Sequence, residues 1–284
     1  MTNKPQTADG YRASATQLVH QACLYLATIL GDLLDDIVIV GGLVPSLLIP
    51  LESLPQGVEA HVGTQDLDLG LALALLQEER YREIAKRLRD RGFAPDVNDR
   101  GNQTFQRWVF EKDAARVTLD FLMPPVDDDA KGGKVKHLES DFAALVTPGL
   151  ELAFQQFETI EITGKTLQNE RTKRTVKVCG AAPFIILKAL AFEGRGENKD
   201  AYDLVYVIQN HASQIEGIAK NLRKLSGSEY LQHALRILRD DFITIDGPGP
   251  LRTAHFLHGG PHDETQADVS ALIQDLLGVL DADE

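Results

Sequence analysis

Asp66 and Asp68 stand two residues apart in the run Val62-Gly63-Thr64-Gln65-Asp66-Leu67-Asp68-Leu69-Gly70. In an extended strand alternate side chains share a face, so the two carboxylates would project together while Leu67 and Leu69 turn to the core. Neighbouring carboxylates repel one another unless something positive lies between them, and the usual partner is a divalent ion with hard oxygen ligands, Mg2+ or Mn2+. Asp120 is a natural third acid. It sits in Val117-Thr118-Leu119-Asp120-Phe121-Leu122, where Val117, Leu119 and Phe121 take one face and Asp120 the other. If the two strands are neighbours, three carboxylates converge. Three acids around two Mg2+ ions suit attack of a hydroxyl on an α-phosphate with release of pyrophosphate. The same residues also read as a solvated Asp-x-Asp at a strand edge with an unrelated strand acid.

Two further groups bear on phosphate. Gly41-Gly42 follows the apolar run Ile37-Val38-Ile39-Val40 and precedes a short helical stretch, so its backbone N–H groups could cradle a phosphate, or simply make a tight turn. Lys188 is the one cation in Ala182-Pro183-Phe184-Ile185-Ile186-Leu187-Lys188-Ala189-Leu190-Ala191-Phe192, a helix apolar almost all round. Such a lysine needs an anionic partner, because an unpaired buried ammonium costs several kcal/mol. After Gly194-Arg195-Gly196 a second helix begins near Asn198, and Lys199 and Asp203 share a face four residues apart. The blander alternative is a snorkelling Lys188 and an ordinary salt-bridged helix start.

Taken in order, Gly41-Gly42, Thr64-Gln65-Asp66-Leu67-Asp68, Asp120, and Lys188…Arg195…Lys199-Asp200-Ala201-Tyr202-Asp203-Leu204 resemble the AbiEii-type nucleotidyltransferases of the DNA polymerase β-like superfamily, often toxins of bacterial toxin–antitoxin pairs. The resemblance runs from residue 36 to residue 210, and Asp246-Gly247-Pro248-Gly249-Pro250-Leu251-Arg252 is similar less specifically. It implies metal-dependent transfer of a nucleoside monophosphate from an NTP to an acceptor hydroxyl. Asp66, Asp68, Asp120 and Lys188 would be catalytic, and the three acids would hold Mg2+ or Mn2+. Gly41, Gly42 and Thr64 would meet the nucleotide, and Lys188 would neutralise the β- and γ-phosphates. Arg195, Lys199, Asp200 and Asp203 would complete the nucleotide site, some positioning nucleotide or acceptor and others forming supporting ion pairs. RNA, tRNA in particular, is the implied acceptor, and an antitoxin protein an implied partner. The chain departs from the pattern at Val62, where a basic residue is common, and the third acid varies in the family. Two rival readings are a same-fold transferase acting on a protein or small molecule, and a non-catalytic module that binds nucleotide or a partner.

The elements that must position these residues follow from patterning. Apolar spacing predicts a helix over 12–34, a strand at Ile37–Val40, a short helix at Leu43–Leu48, and a loop from Leu51 to Val62. A strand at Leu67–Leu73, a charged helix at Gln77–Arg91 and a hairpin of Thr104–Phe110 with Arg116–Phe121 come next, then a surface loop at Pro124–Lys136. Strand patterns return between 150 and 179, and helix dominates from Pro183 onward. The fold class is therefore α/β (α+β): a nucleotidyltransferase-like mixed sheet with flanking helices over 1–180, and a mainly helical domain over 181–284 that completes the nucleotide site.

Composition narrows the classes. With 43% hydrophobic and 25% charged residues the chain reads as an ordinary globular protein, and its net charge of −13 argues against holding nucleic acid by bulk electrostatics. Cys23 and Cys179 suggest neither a disulfide framework nor a zinc site. No apolar run approaches membrane-spanning length and the N-terminus lacks a signal-peptide core, so no membrane partner and a cytoplasmic location are expected. The basic residues Arg80, Arg82, Lys86, Arg87, Arg89 and Arg91, and the run Arg171, Lys173, Arg174 and Lys177, read as solvated faces or as guides for RNA. His255, His258 and His262 read as surface histidines of a C-terminal loop, and Trp108 with Phe110 as core.

Overall fold

Ile37, Val38, Ile39 and Val40 are all β-branched, which favours extended backbone. In the computed structural model they form β1 (Ile37–Val40), buried along its whole length in the middle of a sheet. The structure describes residues 5–72, 78–112, 115–126 and 132–282. Helix α1 (Ala13–Leu30) precedes β1, and the rest of the expected first helix is 3-10 helix at Gly31–Asp36. Gly31 takes a φ of +56°, which ends the α-helical turn. Beyond β1, a 3-10 turn at Gly41–Leu43 leads into α2 (Val44–Leu48).

The order then runs β2 (Asp66–Leu71), α3 (Glu78–Asp90), β3 (Phe93–Val97), β4 (Gln103–Lys112), β5 (Ala115–Met123), β6 (Val135–Glu139), β7 (Phe142–Val146), α4 (Leu152–Gln155), β8 (Phe157–Lys165) and β9 (Arg171–Cys179). Helices α5 (Ala181–Arg195), α6 (Asn198–Asn210), α7 (Gln214–Arg223), α8 (Glu229–Asp241), α9 (Pro248–His258) and α10 (Asp263–Asp281) follow. The fold is mixed α/β, with an open mixed sheet and a helical C-terminal part. The sheet order is β3-β4-β5-β2-β1-β9-β8, and β6 and β7 join it through β5. No helix among the described residues is long and apolar enough to cross a membrane.

Two compact units emerge. The described residues of 13–44 and 63–179 form the sheet unit, and those of 5–12, 45–62 and 180–282 the helical unit. The expected division near residue 180 coincides with the change from β9 to α5, but the segments 5–12 and 45–62 go with the helices. Strands β3, β6 and β7 were not legible as strands. Pro95 lies in β3, which tolerates it as the edge strand of the order and by shifting register between Pro95 and Asp96. The expected strand start near 150 is occupied by α4, with β8 beginning at Phe157. Position 73 of the expected strand, Gln77 of the expected helix, Asp113 and Ala114 of the hairpin turn, and 127–131 of the expected loop lie outside the described residues.

One sheet face is core. Leu67, Leu69, Leu71, Trp108, Phe110, Val117, Leu119 and Phe121 are all buried there, each contributing about 1.5–3 kcal/mol of hydrophobic stabilisation if large. Phe142 packs its ring 4.7 Å from Phe121, and Tyr25 of α1 reaches Phe93 and Phe110 at 6.0 Å. The opposite face carries Asp66, Asp68, Thr118 and Asp120, because alternation puts them there.

Candidate functional site

Register decides what the acids can do together. Strand β2 lies between β1 and β5, antiparallel to the first and parallel to the second. Val40 pairs with Asp68, Asp68 with Asp120, and Asp66 with Thr118. Partners in register share a face, so three carboxylates and one hydroxyl occupy adjacent positions on the non-core side. Asp66 is buried, and the Thr118 hydroxyl donates to its Oδ1. Thr64 is buried too. Its hydroxyl donates to the Asp66 carbonyl at 3.2 Å and accepts from the Asp66 N–H at 3.4 Å, so it fixes the start of β2. The Thr64 N–H in turn donates to the Thr16 hydroxyl at 3.2 Å.

Gly41 shows how closely the turn after β1 approaches these acids. Its φ is +70°, and a Cβ built on it would lie 1.9 Å from Asp68 Oδ2. Only glycine allows both the backbone conformation and the approach. Gly42 is buried in the same 3-10 turn, and the α-helix that follows has five residues.

Asp120 is already engaged. Arg107 of β4 is its register partner, and the guanidinium grips it in a fork, Nε to Oδ1 and Nη2 to Oδ2, both at 2.6 Å. That hydrogen bonding raises the Arg107 pKa above its ordinary value against the cost of burial, and Asp120, Asp66 and Asp68 add to it through their charge. Arg107 was not singled out from the sequence. Strand alternation from Trp108 and Phe110 does put it on the acid face, but only the β4–β5 register reveals its partner.

The donor set suits a hard divalent ion in part. Asp66 and Asp68 offer carboxylate oxygens on one face, and Mg2+ commonly binds one or two protein carboxylates and fills its other positions with water and substrate phosphates. Among the described residues no group of three His, Cys, Asp or Glu side chains stands ready to hold a metal ion. Asp120, the third acid, is held by the Arg107 fork.

A second cluster lies within the helical unit. Lys188 of α5 is buried, and its Nζ donates to Asp200 Oδ1 at 2.9 Å and to Asp203 Oδ2 at 2.6 Å, so it has the anionic partners its helix requires. Arg195 grips Asp200 from the other side with two hydrogen bonds of 2.6 and 2.7 Å. Lys199 donates to Asp203 at 2.6 Å, one helical turn away. Burial alone would raise both aspartates; Lys188 and Arg195 hold Asp200 below its ordinary range, and Lys188, Lys199 and His61 hold Asp203 well below it. Burial likewise would lower Lys188, but Asp200 and Asp203 outweigh it and raise it. Lys199 is lowered, by burial first, against the pull of Asp203.

His61 completes this network and was read only as part of a loop. Burial and the nearby Lys199 lower its pKa to about 4, so at neutral pH it is uncharged and donates Nε2–H to Asp203 Oδ1 at 2.8 Å. Its ring stacks on Tyr202 at 5.1 Å, and the Tyr202 hydroxyl accepts from the Val62 N–H at 3.2 Å. No sequence signal marks an isolated histidine in a loop as the partner of an aspartate 142 positions away.

The remaining candidates resolve simply. Arg80, Arg82, Arg87 and Arg89 form ion pairs with Asp36, Glu139, Glu83 and Asp32, and Asp141. Trp108 and Phe110 are core. His258 and His262 stack at 4.1 Å between the end of α9 and the start of α10, in helix ends where a loop was expected. Both cysteines are buried, which pushes the Cys23 thiol up to about 12 and Cys179 higher still. Compared with models of known protein families and with curated proteins, the chain matches none of them.

Proposed function

We propose that this protein is a metal-dependent nucleotidyltransferase whose reacting centre is the acid face of β2 and β5. The observation that carries the reading is the placement of Asp66, Asp68 and Asp120 in adjacent register beside a glycine turn packed on the Asp68 carboxylate. In this reading Asp66 and Asp68 would hold Mg2+ or Mn2+, which would supply positive charge for the phosphates of an NTP. Thr118 orients Asp66, and Gly41 sets the height of the Asp68 carboxylate. An acceptor hydroxyl oxygen bonds to the α-phosphorus, the bond from that phosphorus to the bridging oxygen breaks, pyrophosphate leaves with the electron pair, and the hydroxyl proton passes to water. Within the helical unit Lys188, Asp200 and Asp203 form a buried ionic frame, and Arg195, whose side chain is 53% exposed, is held on Asp200 at its edge.

Support for an RNA acceptor, for a cognate antitoxin and for a toxin role comes from the resemblance alone. The test is incorporation of α-32P from each NTP, with Mg2+, into RNA, protein and small-molecule fractions. Asp66→Ala and Asp68→Ala are each expected to lower incorporation by about 100-fold or more with the circular dichroism spectrum unchanged. Full activity in either variant would remove the metal assignment, and the fraction that carries label identifies the acceptor class.

A further inference from the structure

Strands β3, β6 and β8 lie at edges of the sheet among the described residues, and they differ in how open those edges are. β3 carries Pro95 and a register shift, and β6 shifts register between His137 and Glu139, both of which blunt an edge. β8 has neither. It runs nine residues without proline, in unbroken register with β9 from Phe157–Cys179 to Lys165–Arg171. One of its faces turns inward: Ile162 is buried, and a Cβ on Gly164 would lie 3.9 Å from Leu24 of α1. On the other face Thr159, Glu161, Thr163 and Lys165 are exposed. The turn beyond β8 is fixed, which keeps the edge straight before any partner arrives. The Thr166 hydroxyl accepts from the Gln168 and Glu170 N–H groups at 3.2 and 3.3 Å, and Gln168 Nε2 donates to the Tyr25 hydroxyl of α1 at 3.4 Å.

We infer that the open edge of β8 pairs with β8 of a second copy of this chain, antiparallel about a two-fold axis at Thr163, so that two sheets join into one. The pairing does not depend on the reaction at β2. Charge selects both the occupant and the register. A two-fold axis normal to the joined sheet keeps each face on its own side, so one residue must face its own copy. With Thr163 as that residue, Glu161 faces Lys165 of the second copy and Lys165 faces Glu161 of the second copy, two opposite-charge pairs flanking a threonine pair. Glu158, Glu161 or Lys165 as the centre would oppose itself, and the remaining centres on β8 bring no opposite charges face to face. Within one copy Lys165 faces Arg171 across the β8–β9 register, a like-charge pair, while Glu161 meets Lys173 at 2.6 Å in an exposed ion pair of little strength. Pairing about Thr163 sets an acid beside Lys165. The β9 cations of the two copies stay three strand spacings apart, about 14 Å, where salt at physiological strength screens their repulsion.

The test is sedimentation velocity of the full chain over a range of concentrations at physiological ionic strength, where the native chain is expected to show a monomer–dimer equilibrium. Glu161→Lys and Lys165→Glu, both at exposed positions, should each weaken dimer formation by at least about tenfold, because each turns two attractive pairs into two repulsive ones. The two variants mixed in equal amounts should dimerise with each other, and the double variant should recover native association within about threefold. Thr163→Cys should form a disulfide-linked dimer on mild oxidation, since facing residues have Cα atoms about 4.5–5.5 Å apart, and the native cysteines are buried. A native chain that stays monomeric into the millimolar range overturns the inference, as does a dimer that either single reversal leaves at native strength. Loss of association that neither the mixture nor the double variant restores overturns it too, and so does Thr163→Cys cross-linking no faster than Thr159→Cys.

Discussion

Gly41 is the residue at which the site and the backbone constrain each other most tightly. A side chain there meets two separate penalties: a φ of +70° that L-residues avoid, and the Asp68 carboxylate 1.9 Å from the new Cβ. The first costs about 1–2 kcal/mol. The second cannot be met without moving Asp68, whose position the reaction needs. Gly41→Ala is therefore expected to lower the urea midpoint by an amount equivalent to about 1–2 kcal/mol and to reduce NMP transfer by more than that loss of stability explains. Assaying the variant well below its melting range separates the two effects. Transfer at the native rate would show that Asp68 can shift without consequence. The asymmetry between Gly41 and Thr64 is instructive. Both flank the acids in sequence pattern, yet Gly41 meets the Asp68 side chain while the Thr64 hydroxyl is spent on the Asp66 backbone.

At the scale of elements, the segment 45–62 is held to α6 by His61, and that contact titrates. The folded-state pKa of His61 is about 4, against an ordinary value of 6.5, so the unfolded chain binds its proton first as pH falls. Its contribution to stability is complete above pH 6.5 and is lost as pH drops toward 4, on the order of 3 kcal/mol for a shift of that size in a buried group. Asp200 and Asp203, both lowered, act in the same direction, with their stabilisation lost at still lower pH. Measured as urea stability between pH 7 and 4, the native chain should lose more than His61→Gln, the difference developing between pH 6.5 and 4. Parallel pH profiles would mean that His61 titrates alike in the folded and unfolded chains, and its burial would not contribute to the acid sensitivity. This element also marks where reading from sequence stops. Strand β1 was legible as a continuous apolar run and β2 and β5 by apolar alternation, both local signals, and that alternation put Asp66, Asp68 and Asp120 on the face opposite Leu67, Leu69 and Leu119. The apolar surroundings of Lys188 correctly demanded an anion. Arg107 and His61 were not legible, because a partner 13 or 142 residues away is fixed by strand register and helix docking, which no local pattern encodes.

For the whole molecule, the chain's path is less simple than a sheet domain followed by a helical one. Among the described residues it passes between the two units four times, at 12/13, 44/45, 62/63 and 179/180. Composition shifts at the last of these are visible in sequence; the others are not, because residues 5–12 and 45–62 carry little periodic structure of their own. Their membership is set by tertiary contacts. Tyr11 lies 5.7 Å from the Phe256 ring of α9 and under the Lys199 ammonium of α6 at 5.3 Å, and the Tyr206 hydroxyl donates to the Glu59 carbonyl at 3.2 Å. The two residues after Tyr11 are Arg12 and Ala13, the latter opening α1 in the sheet unit. Tyr11→Ala therefore discriminates between neighbours in sequence and neighbours in space. Loss of the ring contact and the cation–π contact should cost about 1–2 kcal/mol. Native-state hydrogen exchange should show that cost as faster exchange in α6 and α9, with α1, β1, β2 and β5 unchanged, since local openings follow cooperative units and not chain order. Faster exchange in α1 and the strands instead would place 5–12 with the sheet and remove the crossing at 12/13, leaving those at 44/45, 62/63 and 179/180.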